Sequence, residues 1–160
     1  MPPKSPPDIT VHDIANWFLA KAQSENKSLK HMKLQKLVYF AYGWYFAYFD
    51  RPLFEEEIYA WRHGPVVEEL YHRYKRYGKN PIDISVVEFP IFEENTTEIL
   101  EDVWQNYSSF SDVELSVATH RPNSPWRKAY SSYEWDAKMP PETIREYFKG
   151  LREEYKNVRT

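Results

Sequence analysis

Apolar positions in this chain recur mostly at intervals of three and four. The densest run is Lys33 to Tyr48, where Leu34, Leu37, Val38, Ala41, Tyr45 and Tyr48 share one face of a 3.6-residue period. Phe40, Trp44 and Ala47 make the opposite face apolar too. A helix that is apolar nearly all round is covered on most sides by its own domain. The pattern therefore predicts a central buried helix with other helices as neighbours, and only its first turn, carrying Lys33, Gln35 and Lys36, in water.

Around that run the spacing predicts further helices. Thr10 followed by Asp13 resembles a capping box, and Val11, Ile14, Ala15, Phe18 and Ala22 continue it as a helix to about Glu25. Asp50-Arg51-Pro52 is turn chemistry. Ile58, Tyr59 and Trp61 favour a short strand, which His63-Gly64-Pro65 would stop while opening a helix with proline at its first position. That helix would carry Val66, Val67, Leu70, Tyr74 and Tyr77 on one stripe and end at Gly78. Asn80 to Glu94 suggests an extended segment pairing near Ile58. Glu98–Tyr107, a capped helix from Ser111 to about His120, a turn from Ser124-Pro125-Trp126, and a last helix striped by Ile144, Tyr147, Phe148, Leu151 and Tyr155 complete the series. Residues 1–9, rich in proline, are expected to be a disordered lead, and 10–156 one domain. The fold class expected is mainly α: a single compact multi-helix domain around a buried central helix, with at most a small β-hairpin.

Composition narrows the function. A length of 160 residues supports one core. The absence of cysteine removes disulfides, thiolate metal sites and cysteine nucleophiles. A net charge of -3 gives no global attraction for nucleic acid. Leu37 to Phe49 is uncharged for only 13 residues, short of the roughly 20 needed to span a membrane. With no signal-peptide pattern, the expected location is cytoplasmic and no membrane partner is expected. Aromatic residues make up 18%, including 13 tyrosines, more than a core edge alone requires and a composition suited to an interface.

Motifs for catalysis are sparse. Glu69 and His72 form a Glu-x-x-His, half of a di-iron set, but the chain has no second copy, so no metal is assigned. Four glycines cannot supply a Gly-rich phosphate loop, and Gly-x-Ser-x-Gly is absent. No cofactor is expected. His63 and His120 would serve a hydrolase or ligand site only if both rings faced one pocket. His72, Arg73, Lys75, Arg76 and Lys79, interleaved with tyrosines, form the densest basic patch. The core stripe explains those tyrosines better than nucleic acid does.

An ordered set of short motifs nevertheless resembles a known family. Lys33-Leu34-Gln35-Lys36-Leu37-x-Tyr39, Pro52-Leu53-Phe54 with a following Trp61, Gly64-Pro65-Val66, and Thr119-His120 with Pro125-Trp126 are similar in order and spacing to the Panacea antitoxin domain, also known as the SocA-like or phage-associated GepA-like domain. The similarity runs from about Val11 to Phe148, departing in the Arg62-His63 pair and the proline-rich lead. The resemblance implies a non-enzymatic antitoxin that binds a cognate toxin encoded next door. Its alternatives are an adaptor delivering the toxin to a Clp-type protease, or a phage-associated regulator that binds nucleic acid. The matched positions are mainly apolar or Gly-Pro and would specify the fold. Toxin contacts would then fall on aromatics off the core stripes: Tyr42, Tyr71, Tyr133 and Trp135.

Overall fold

The computed structural model describes residues 2–84, 88–131 and 133–159. Helix α1 (Val11–Ser24) opens on the expected box, with the Thr10 side chain accepting from Asp13 N–H and the Asp13 carboxylate accepting from Thr10 N–H at 2.9 Å. It packs on α2 (His31–Phe49), the central helix, which also touches α4 (Glu94–Tyr107), α5 (Asp112–Thr119) and α7 (Pro141–Arg159). Two shorter helices, α3 (Glu68–Tyr74) and α6 (Pro125–Ala129), complete the seven found among the described residues. Beside them lies a small antiparallel sheet of β1 (Ile58–Trp61), β2 (Gly64–Val67) and β3 (Ala137–Lys138), in the order β2-β1-β3.

The central helix is buried as its pattern requires: Leu34, Leu37, Val38, Ala41 and Tyr45 on one face, Phe40 and Ala47 on the other. Tyr107 of α4 stacks on Phe40 at 4.1 Å, and its hydroxyl accepts from Trp44 Nε1 at 3.0 Å. Helix α7 approaches so closely that a Cβ placed on Gly43 would lie 2.2 Å from the Phe148 ring. The one helical glycine of α2 is therefore a packing position. Tyr48, assigned by spacing to the buried stripe, is instead exposed at the end of the helix, where the chain turns through Asp50 in the left-handed region.

Three expectations are corrected. The first turn of α2 is not wet: His31, Gln35 and Lys36 are all buried, because α5 and the β1–β2 hairpin cover it. Gly64-Pro65 does not open a helix. It begins β2, whose register places Ala60 opposite Pro65 and Trp61 opposite Gly64 across an Arg62-His63 turn. Proline suits this edge strand, since its missing N–H leaves no ladder bond open. The helix proper starts at Glu68 and tightens into a 3₁₀ turn at Lys75–Tyr77 before Gly78.

The third correction concerns the partner of β1, which is β2 on one side and β3 on the other, not the segment 80–94. A two-residue turn brings β2 to β1 at once, whereas 80–94 is a long connection away. Its described parts bridge elsewhere, Pro81 to Lys30 and Phe92 to Lys4, while Val86 and Val87 lie outside the described residues. The lead, expected to be unstructured, is held through that second bridge and through the Lys4 ammonium on Asp13 at 3.1 Å, and Ile9 is buried.

A polar clamp joins α2 to the sheet. Gln35 Nε2 donates to the Val67 carbonyl at 3.1 Å and Gln35 Oε1 accepts from Val67 N–H at 2.9 Å, so the amide acts as one more strand residue where β2 ends. Gln35 Nε2 also lies 3.1 Å from His31 Nε2. Burial pushes the His31 imidazole down to about 4, from an ordinary value near 6.5.

Substituting Gly43 by alanine is expected to destabilise the fold by about 1–3 kcal/mol, since the new methyl must displace a ring packed on all sides. Gly150→Ala on α7, where nothing lies within 4 Å, should stabilise by roughly 0.5–1 kcal/mol. Denaturant melts of the two variants compare the sites directly. For His31, the unfolded chain binds a proton below about 6.5 that the folded chain refuses until about 4. Its contribution is complete above 6.5 and is lost as pH falls through that window. Between pH 7 and pH 5 the parent should lose more stability than His31→Leu, and equal losses would place the imidazole in water.

Candidate functional site

The turn between β1 and β2 gathers residues from four separate stretches of chain. Gly64 sits at φ +130°, a backbone conformation that side chains rarely adopt. A Cβ there would meet Lys36 Cε at 3.5 Å, Thr119 Oγ1 at 3.6 Å and His120 Cε1 at 3.7 Å. These are ordinary contact distances, so conformation requires glycine here more than space does. Thr119 is buried, donates to the Ser116 carbonyl at 3.0 Å and lies 3.0 Å from His120 Nδ1, which also meets the Ser116 carbonyl.

Helix α6 closes the corner. The Ser124 side chain caps it and Pro125 occupies its first position, which orients Trp126 inward. Trp126 lies against His120 with centroids 3.8 Å apart, and its Nε1 donates to the Trp61 carbonyl at 2.6 Å. Arg127 donates to the His120 carbonyl at 3.0 Å. Gln35, Trp61, Gly64, Thr119, His120 and Trp126 thus join α2, the hairpin, α5 and α6, and Lys36, Pro65, Val66 and Pro125 are buried at the same corner. Leu34, Leu37 and Tyr39 lie in the core beside them. The Lys33 ammonium donates to the Ser108 and Phe110 carbonyls, tying α2 to the α4–α5 connection.

On the other side of Trp61 is an aromatic face. Its ring meets Tyr71 edge-on at 4.9 Å and Trp135 at 5.7 Å, and its Nε1 donates to Asp136 at 3.1 Å. Tyr71 also contacts His31, with centroids 5.6 Å apart. Trp135 is 69% exposed and Tyr133, two residues before it, 99% exposed. Tyr71 and Trp135 therefore share one hub, and Tyr133 belongs to the same loop. Tyr42 does not join them. It is 4% exposed, packed on Phe54 and Phe46, because the α2 face opposite its stripe is covered as well. Burial raises its hydroxyl pKa further.

Other chemistry resolves into structure. Glu69 pairs with His12 at 3.4 Å and His72 with Glu68 at 3.5 Å, so the Glu-x-x-His does not converge. Among the described residues no group of three or more His, Asp or Glu is placed to hold a metal. In the basic patch, Arg73 and Arg76 lie over the Tyr74 and Tyr77 rings at 5.7 and 5.0 Å. His63 and His120 do face one place, an open depression of about 290 Å³ lined also by Arg62, Ser116 and Val117. Among the described residues no carboxylate hydrogen-bonds either ring, and His120 Nδ1 is held by the Ser116 carbonyl beside Thr119. No described helix is long and apolar enough to cross a membrane.

Sequence reasoning missed Trp61 as an aromatic hub, since it was matched as a fold position. It also missed Val113 and Val117 on α5, exposed by 72% and 63%. Their spacing around the buried Leu115 carried the signal: two valines on the side of a short helix opposite its core residue.

These motif residues can now be set beside known proteins. The family model described as "Antitoxin SocA-like, Panacea domain" matches residues 34–127, which includes the hairpin, the Thr119-His120 corner and Trp126. The chain is 27% identical over 139 residues to Antitoxin SocA of Caulobacter vibrioides (strain NA1000 / CB15N), covering 79% of this chain and 74% of that protein. No solved structure matches. With the model matching more than half of its length, this chain belongs to the SocA-like antitoxin family of Panacea domains.

Proposed function

We propose that this protein is the antitoxin of a type II-like pair, acting in the cytoplasm to neutralise a toxin encoded by its neighbouring gene through direct binding. The observation that carries this beyond family membership is the aromatic face. Large rings at Trp135 and Tyr133 stand in water, and Trp61, itself packed on Tyr71, meets Trp135 from below. Interfaces draw most of their energy from a few such Trp and Tyr anchors. The fold leaves most of the surface of both rings uncovered.

Co-expression with the adjacent gene product, followed by growth and pull-down, tests the proposal. The parent should restore growth and form a complex. Tyr133→Ser with Trp135→Ser should weaken that complex by about 2 kcal/mol or more, while changing stability by no more than about 0.5 kcal/mol, as exposed positions do. No complex and no growth would overturn the antitoxin role. A toxin whose level falls with the parent and recovers on loss of a Clp-type protease would mean delivery to the protease in place of masking.

A further inference from the structure

Lys36 is the motif residue whose side chain the fold does not use. It is 4% exposed, yet no described residue forms a hydrogen bond or ion pair with its ammonium. Nor is Nζ among the sealed unpaired atoms, so it keeps a narrow contact with solvent. Lys33, one turn earlier, satisfies its own ammonium on two carbonyls. Burial lowers the Lys36 pKa, and the attraction of Asp112 opposes that without contact. A buried charge without a protein partner is costly to a fold.

The surroundings fit such an arrival. Lys36 Cε, Thr119 Oγ1 and His120 Cε1 converge on the space left by the missing side chain of Gly64. His120 continues from there into the open depression, with Arg62, His63, Ser116 and Val117. Val117 lines the depression as an apolar rim, and Val113 stands exposed one turn earlier on α5. Resting on the antitoxin role above, we infer that this depression seats an acidic side chain of the protein toxin, its carboxylate paired with the Lys36 ammonium beside Gly64. The apolar rim excludes water around that pair, as the surround of a binding hot spot does. Asp112 and Glu114 at the start of α5 disfavour a polyanion such as nucleic acid, whereas a single carboxylate can pass them. The site lies on the far side of the Trp61 backbone from the aromatic face, giving the partner a charged anchor next to an apolar one.

The test measures binding of the adjacent gene product to the parent and to Lys36→Met, whose side chain keeps the length and loses the charge. Lys36→Met should melt no lower than the parent and bind the toxin on the order of thirtyfold more weakly or worse. Replacing the toxin's Asp and Glu residues singly by Asn and Gln should identify one whose loss costs the parent as much and costs Lys36→Met almost nothing. Should Lys36→Met melt lower, acetylation of the parent reads the same contact: Lys36 should be protected in the complex and modified without it. Binding that is unchanged in Lys36→Met overturns the site while leaving the antitoxin role intact, as does a loss coupled to no acidic residue. A parent that binds no toxin overturns both. A parent that binds an oligonucleotide instead, weakened in Lys36→Met, assigns the ammonium to phosphate and overturns the carboxylate.

Discussion

The structure depends on enclosing one helix on every side up to its last turn. Because α2 is apolar on opposite faces, no arrangement leaves one side of it in water without exposing large rings. Helices α1, α4, α5 and α7 with the hairpin therefore surround it. Enclosure has a consequence at its first turn, where polar residues are buried along with the apolar ones. Gln35 answers by pairing with both the N–H and the carbonyl of Val67, and Lys33 by reaching two carbonyls at the α4–α5 connection. The small sheet is thus attached to the helical body through an amide side chain as well as by packing.

That attachment fixes the hairpin, and the hairpin divides the surface. The Trp61 carbonyl faces Trp126, His120 and the polar corner, while its indole faces Tyr71 and Trp135. One residue thereby borders both the polar corner and the aromatic face. The indole N–H is satisfied by Asp136 just before β3, which also holds the end of the Tyr133–Trp135 loop to the sheet. Trp135, held against Trp61 in this way, loses little further freedom when a partner covers it.

Sequence periodicity carried the helices well, since their stripes are local. The caps at Thr10 and Ser111 and the proline at α6 fall where the residue types indicate, because capping depends on neighbours three positions away. What could not be read was long-range. Gly64-Pro65 fits a helix start by residue type, and only the pairing with Ala60 and Trp61 makes it a strand. Gln35 and Lys36 look solvated because nothing nearby in sequence says that α5 and the hairpin will cover them. Tyr42 lies off the stripe on a helical wheel, but on a helix covered all round an off-stripe position is still core. Gly43 gives no sign of its role until Phe148 of α7 is placed against it.

The same distinction bears on what the shared motif means. Most of its residues are accounted for by the fold alone: Leu34 and Leu37 by burial, Gln35 by the clamp, Gly64 by its backbone angle, and Trp126 by its bond to the Trp61 carbonyl. Lys36 is different, since a methionine of similar length would fill its space without the cost of an unpaired charge. Its Cε meets the Gly64 position beside the His120 ring, which lines the open depression, so the inferred partner contact accounts for the one motif charge that the fold leaves unmet. Fold and function thus part company inside a single motif, at the residue whose polar group no contact in the folded chain satisfies.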